Sequence, residues 1–373
     1  MKTGKGAQDA KYARVTEALR ADLRQAVYLP GDRMPSENEL VTRFGVSVIT
    51  ARRAYSEMAA AGEVIRIKGK GTFAAQAATA DGRQAPPVRL VTFVLLDYLE
   101  ADEAMMQIIL GAQSHLSARG YQMTIQGSNN SEAMEKAILE NCCEAPISGV
   151  LLFSTNPDES VQNARHLEAC GVPLVFIDRS PAGIPASVIA SNNYDGAYQV
   201  AQHLLEMGHR KILFLGDRQH INTEVERLRG FTACLSSSGR FEPGLCLFDS
   251  FRRLDEILAL IREQGATAAC CVNDKLAVWL LNSLRGQKVA VPGEVSVTGF
   301  DDISLSRSAQ PALTTVRQDF TRMGASAADA LLEQINNPRR RGHLSVGIPM
   351  ELVRRDTVKD LRAPEGGMEE GIA

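Results

Sequence analysis

From residue 88 onward, short apolar runs alternate with helical patterns, and this rhythm limits the possible folds more than any other feature of the chain. Runs at 90–96, 123–126, 150–153 and 174–177 have the length of buried strands. Between them, 105–119, 131–141 and 159–170 carry helical periodicity, and Gly120 and Gly171 close the first and third of these helices. The pattern then restarts. Helices over 195–207, 224–237, 254–263 and 274–285 alternate with strands at 212–215, 246–248, 268–272 and 295–299. Strand–helix alternation of this length predicts an α/β fold with two doubly wound parallel sheets, hence two lobes. Such sheets bind ligands at the carboxyl ends of their strands, and two facing lobes make a cleft there.

The residues at those strand ends are polar. Asp178-Arg179 follow the strand ending at Ile177, Asn273-Asp274 follow Val272, and Asp301-Asp302 follow Phe300. Arg227 lies early in the helix after 217–223. Carboxylates, an amide and a guanidinium on rigid strand ends suit a polyhydroxyl ligand, because each hydroxyl both donates and accepts. The competing reading is that Asp and Asn cap the following helices. Both stay open for Asp274 and Asp302, while Arg227, Asn273, Asp178, Arg179 and Asp301 are expected to touch ligand. Asp97, Tyr98, Asp102 and Glu103, after the first strand, are expected to help select it.

Ahead of this region, residues 29–74 hold a second unit. Ser36-Glu37-Asn38-Glu39 is a capping box that starts a helix carrying Leu40 and Phe44, and this helix ends at Gly45-Val46. Ser47 caps a second helix from 48 to about 61, with Ala51, Ala54, Tyr55 and Met58 at helical spacing. Two short helices joined at a glycine turn make a helix-turn-helix. Residues 64–67 and 72–74 then flank Lys68-Gly69-Lys70-Gly71, which reads as a basic β-hairpin, or wing. Upstream, Val15, Leu19 and Leu23 share one face of a further helix.

PGDRMPSENEL, FGVS, Thr50-Ala51-Arg52 and GKGTF together resemble the winged helix-turn-helix of the GntR family of bacterial transcription regulators. The resemblance implies DNA binding, with the second helix of the motif in the major groove. It places Asn38, Ser47, Thr50 and Arg52 toward DNA, and Lys68, Gly69 and Lys70 at the wing tip. Val48 stands where many relatives carry arginine. Valine makes no bidentate contact to guanine, but it can touch a thymine methyl.

GVPLVFIDR, HLLEMGHRKILFLG, the R-x-x-G-F from Arg227, CVNDKLA, VPGEVSVTGFDD and PALTTVRQDFTRMG occur in the order seen in LacI/GalR-type regulators. Residues 88–355 therefore resemble their effector-binding domain, itself similar to periplasmic sugar-binding proteins. The resemblance implies lobe crossovers near Ala190 and Thr315, with the last segment returning to the first lobe. It also marks Asn192, in Ser191-Asn192-Asn193, as a neutral substitute where many relatives have Asp-Asn. The hinge helix of LacI-type heads has no counterpart. The expected organisation is a winged helix-turn-helix over 1–77, a linker over 78–87, a periplasmic-binding-protein-like domain over 88–355 and a frayed tail over 356–373.

Charge agrees with this division. The first 78 residues hold 13 Lys/Arg and 8 Asp/Glu, a net of +5, whereas the whole chain is −3, leaving −8 for the remainder. A basic head on an acidic body suits phosphate contact by the head alone, although solvated charge patterning produces the same asymmetry. No run approaches the roughly 20 apolar residues of a membrane span. The N-terminus lacks the apolar stretch of a signal peptide, so a cytoplasmic location is expected.

The seven cysteines show no CxxC or Cys/His zinc spacing. Cys142-Cys143 and Cys270-Cys271 read as buried small residues, with a redox pair as the alternative. No two histidines have metal-ligand spacing, and His209 reads as structural. GxSxG, P-loop and GxGxxG motifs are absent, so neither an enzyme nor a resident cofactor is expected. The expected function is a sugar-responsive repressor acting as a homodimer on double-stranded operator DNA. A purine or other small-metabolite effector, an activator role and a solute-binding protein are the alternatives, and the head argues against the last.

Overall fold

Two serines set the geometry of the N-terminal unit. Ser36 Oγ accepts from Glu39 N at 3.3 Å while the Glu39 carboxylate accepts from Ser36 N at 2.6 Å, completing the capping box. Gly45 ends that helix in the left-handed region, at φ +63°. Ser47 Oγ then accepts from Thr50 N at 3.2 Å and starts the next helix. The computed structural model describes residues 4–24, 27–28, 31–67, 71–75, 89–97, 103–181, 186–218, 221–337 and 343–362. The chain divides into two compact units, Met1–Pro87 and Val88–Ala373.

The first unit, or head, comprises α1 (Gly4–Arg24), α2 (Glu37–Phe44), α3 (Val48–Ala60) and an antiparallel pair, β1 (Val64–Ile67) and β2 (Gly71–Ala74). Ala51, Ala54, Tyr55 and Met58 put one face of α3 entirely out of solvent, against Val15, Leu19 and Leu40. Burying each of the larger side chains contributes about 1.5–3 kcal/mol, and Leu40→Ala would cost roughly 2–5 kcal/mol. Arg20 of α1 holds Glu63, just before β1, at 2.8 Å. The expected wing tip at Lys68, Gly69 and Lys70 and the expected linker at 78–87 lie outside the described residues.

The second unit, or body, has two lobes. The first is built on β3 (Leu90–Leu95), β4 (Gln122–Gly127), β5 (Gly149–Leu152), β6 (Leu174–Ile177) and β7 (Val188–Ser191), with α4 (Glu103–Ser117), α5 (Glu132–Glu144) and α6 (Val161–Ala169). The second follows with α7 (Asn193–Glu206), β8 (Ile212–Leu215), α8 (Asn222–Ser237), β9 (Cys246–Leu247), α9 (Leu254–Arg262), β10 (Ala268–Cys271), α10 (Asp274–Gly286), β11 (Ser296–Thr298) and α11 (Ser304–Ser308). The chain returns through β12 (Thr315–Arg317) to α12 (Phe320–Asn336) and β13 (Ser345–Ile348) of the first lobe, then runs back through β14 (Glu351–Val353). The first sheet has the order β13-β7-β6-β5-β3-β4 and the second β11-β10-β8-β9, all pairs parallel. Both sheets are doubly wound, and strand order reverses at β3 and at β8.

The chain therefore crosses between lobes three times, once more than expected. The last segment does return to the first lobe, where α12 packs on α4. Their backbones approach closely, because a Cβ on Gly111 would stand 2.1 Å from the Thr321 carbonyl oxygen. However, β14 then pairs antiparallel with β12, and residues 356–362, expected to fray, complete the second lobe. Thr357 is fully buried. Val297 N donates to Thr357 O at 2.9 Å, and Leu361 N donates to Met207 O at 2.8 Å. Those backbone groups would otherwise be left unpaired inside the fold.

His209 is structural, buried where α7 turns into β8, with Nδ1 2.9 Å from Thr267 Oγ1. Burial pushes its pKa down to about 4. All seven cysteines are free, and Cys142, Cys270 and Cys271 are buried as expected, whereas Cys143 is half-buried. Among the described residues no helix is long and apolar enough to cross a membrane.

Candidate functional site

In the head, the capping of α3 at Ser47 decides which side chains face outward. Burial of positions 51, 54, 55 and 58 leaves Ser47, Val48, Ile49, Arg52, Arg53 and Ser56 exposed as one stripe. Asn38 is exposed on the first turn of α2. Val48 is 38% and Ile49 71% exposed, so the stripe carries apolar contacts suited to thymine methyls beside the arginines. Thr50 departs from expectation. Its hydroxyl turns back to Ser47 Oγ at 2.9 Å and its side chain is buried, so it locks the cap rather than facing DNA.

Arg52 is exposed but not loose. Its fork reaches Glu37 at 3.0 Å, and Arg66 of β1 reaches the other oxygen of the same carboxylate at 2.6 Å. Hydrogen bonding from Arg52, aided by the charges of both arginines, holds the Glu37 carboxyl below the usual range. Glu37 thus orients two cations on the exposed side of the motif. Sequence reasoning singled out neither Glu37's ion pairs nor Ile49, although helical spacing from Ser47 would have found Ile49.

In the body, a cleft of about 300 Å³ opens between the lobes. Its wall is assembled from residues just beyond strand ends: Asp97 after β3, Asn130 after β4, Phe153 after β5, Asp178 and Arg179 after β6. The second lobe contributes Asp217 and Arg218 after β8, Asn273 after β10 and Asp301 after β11. This is the location that doubly wound sheets dictate. All six residues expected to bind ligand, Asp97, Asp178, Arg179, Arg227, Asn273 and Asp301, line it. Tyr98 and Asp102 lie outside the described residues.

Arg227 is the best-held side chain there, only 7% exposed. Its Nε donates to Asn193 Oδ1 at 2.8 Å, and Nη1 donates to the Val272 carbonyl at 2.6 Å. Nη2 stands 3.6 Å from Asp301, and the guanidinium lies 3.8 Å over the Phe300 ring. Asp301 also accepts from Gln318 at 2.6 Å and is held at φ +116°, while Asp178 sits at φ +61°. Non-glycine residues in this region carry a cost of about 1–3 kcal/mol and gather at ligand sites. Burial raises the Asp178 carboxyl against the opposing charges of Arg227 and Arg179. Burial likewise lowers Arg179, which stacks on Phe153 at 5.0 Å.

Among the described residues, Arg179 Nε and Gln318 Oε1 are buried without a hydrogen-bond partner. One is a donor and the other an acceptor, the pair of functions a hydroxyl carries. Glu224, missed in the sequence, is buried in the wall and accepts from Asp217 N and Arg218 N at 2.9 Å each. Asn193, also missed, acts by positioning Arg227. Asn192 beside it donates weakly to Asp195 at 3.4 Å.

Several expectations about neighbouring residues change. Asn273 lines the cleft but also caps α10, its Oδ1 accepting from Leu276 N at 2.8 Å. Asp274 is not the cap. It is fully buried, accepts from Thr315 Oγ1 at 2.5 Å and Ile303 N at 3.0 Å, and is pushed up to about 8 by burial and by Asp301. Asp302 holds Arg317 at 2.8 Å and also Arg355, pinning the strands of the lobe crossing. Burial works against its charge, but hydrogen bonds from Arg355 and Arg317 hold its carboxyl below the usual range. Glu103 does not face the cleft. It accepts from Ser304 N at 2.6 Å and so ties α4 to α11 of the other lobe.

Residues 11–74 match the bacterial regulatory proteins of the gntR family, and 201–358 match the periplasmic binding protein-like domain. An arabinose metabolism transcriptional repressor of Halalkalibacterium halodurans is 29% identical over 377 residues, 96% of this chain and 99% of that protein. A PurR-type repressor of Vibrio atlanticus is 28% identical over 268 residues, 68% of this chain and 77% of that one. The solved structure of a transcriptional regulator CelR–cellobiose complex superposes with TM-score 0.66 at 24% identity, covering 84% of this chain and 91% of that chain, which establishes a shared fold.

Proposed function

We infer that this chain, which joins a gntR-family winged helix-turn-helix head to a periplasmic-binding-protein-like body, is a transcriptional repressor controlled by a small sugar. It is a regulator rather than an enzyme. The observation that carries the reading is the cleft, lined by carboxylates, guanidinium groups and two residues with an unpaired buried donor and acceptor, in the same chain as an exposed recognition helix. The arabinose repressor name attached to a relative of nearly equal span, and the disaccharide in the CelR title, favour a sugar.

Three crossings, two of which Asp302 ties together through Arg317 and Arg355, would let the lobes rotate when ligand fills the cleft. Coupling is reciprocal: a sugar that weakens operator binding binds less tightly to the operator-bound protein, typically by roughly 5–150-fold. No resident cofactor is needed. The regulator would work in the cytoplasm as a homodimer, with two heads reading half-sites one or more helical turns apart. Light scattering at the mass of a monomer, in the presence of operator, would remove the dimer from this account.

The test is fluorescence anisotropy of DNA from upstream of the chain's own gene, with and without pooled monosaccharides. Tight, salt-sensitive binding released by one pool is expected. Binding that no sugar affects but a purine pool changes would favour a second reading. The PurR likeness and the 38% exposed Phe251 in the cleft wall, a surface for stacking a base, support that reading. Absence of DNA binding would overturn both.

A further inference from the structure

Away from the cleft, three soft donors converge on the surface of the first lobe. Cys143 lies near the end of α5, His166 in the last turn of α6, and Cys170 immediately after α6. His166 and Cys170 are four residues apart, so one helix face presents both. Packing of α6 beside α5 brings Cys143 to them from 23 residues away. One donor atom from each of the three lies within 4.8 Å of the other two, and Cys170 Sγ is 3.9 Å from His166 Nε2.

Tetrahedral zinc bonds sulfur at about 2.3 Å and imidazole nitrogen at about 2.0–2.1 Å, which separates such donors by roughly 3.4–3.8 Å. The three groups thus need to close by about 1 Å or less. We propose that Cys143, His166 and Cys170 form a binding site for one zinc-like divalent cation, with water as the fourth ligand. Cys143 is half-buried and the other two residues are exposed, so the cation enters directly from solvent. His166 binds as the neutral imidazole. Each thiol gives up its proton to solvent, so uptake of one cation releases two protons and involves no oxidant or reductant.

Burial, with Cys170 next to it, pushes the Cys143 thiol up to about 12. It is a poor free nucleophile and needs a cation to ionise. None of the three residues lines the cleft. What joins α5 to α6 here is apolar packing of Ile138, Leu139 and Leu167 over the sheet, and the bound metal adds a clamp across the two helices. The expectation of no Cys/His zinc spacing overlooked this i, i+4 pair, because a lone pair becomes a site only when the fold adds Cys143 from another helix.

Co²⁺ titration of the reduced, chelator-treated full-length protein tests the site. Uptake of one equivalent is expected, with the intense visible bands of tetrahedral Co²⁺ and a thiolate charge-transfer band, together with a rise in the thermal unfolding midpoint. Cys170→Ser and His166→Ala, both at exposed positions, should lose the bands while keeping the circular dichroism of the parent, and Cys234→Ala should retain them. Absence of tetrahedral bands, or bands of equal strength in Cys170→Ser, would overturn the proposal. So would reduced protein that takes up no Co²⁺ yet forms a Cys143–Cys170 disulfide in air.

Discussion

Replacing Arg227 with methionine and with lysine separates its charge from its geometry. Arg227 and Asp301 are 3.6 Å apart, with side chains 8% and 20% exposed. At an effective dielectric of about 20 their attraction is roughly 4–5 kcal/mol. Methionine keeps the volume but removes the cation facing Asp301, whose carboxylate then keeps its bond from Gln318 but loses its countercharge. Removing one partner of a buried pair costs about 3–5 kcal/mol. Lysine keeps a charge but cannot reach Asn193, Val272 and Asp301 together, leaving a buried acceptor unpaired at about 1–3 kcal/mol. Urea unfolding followed by Trp279, the single tryptophan and a half-buried residue packed against the second lobe's core, reads the outcome. The midpoint should fall from arginine to lysine to methionine. Both variants should lose effector release while still binding operator, because the head is a separate compact unit. A methionine variant that unfolds at the wild-type urea concentration would refute the idea that this guanidinium compensates the cleft carboxylates.

Arg52→Ala should weaken specific operator binding by about 1–3 kcal/mol if its fork reads a base, and leave effector binding unchanged. Equal anisotropy curves for wild type and variant would remove Arg52 from the interface. Asp274 keeps its proton up to about pH 8 in the folded body, whereas unfolded aspartate releases it near pH 4. The native state therefore binds more protons across that window, so this residue's contribution lowers stability as pH rises from about 4 to about 8. Asp274→Asn should flatten that slope in urea midpoints, and an unchanged slope would assign it to another group. Phe251 lines the cleft and meets Trp279 edge-on at 5.3 Å. Filling the cleft should change Trp279 emission, and Phe251→Leu should reduce that change without affecting operator binding.

Features governed by near neighbours were legible in the amino-acid order. The caps at Ser36 and Ser47 are contacts over three residues, and the buried stripe of α3 follows from helical spacing. Alternating strands and helices fixed two doubly wound sheets, and with them the strand ends where Asp97, Asp178, Arg179, Asn273 and Asp301 meet. Which way each of those side chains turns was decided elsewhere. Thr50 turned into its own cap, and Asn273 divided itself between cap and cleft, because backbone N–H groups at helix starts compete with any ligand for short polar side chains.

Longer-range partners were beyond periodicity altogether. Arg227 takes its bonds from residues 34 and 45 positions away, Glu37 gathers arginines from 15 and 29, and Glu103 reaches Ser304 across 201. The third lobe crossing and the packing of residues 356–362 likewise depend on backbone donors and acceptors that only the assembled second lobe leaves open. Spacing along the chain specifies which face a residue occupies, but burial brings distant charges together, and only the folded arrangement determines which of them pair.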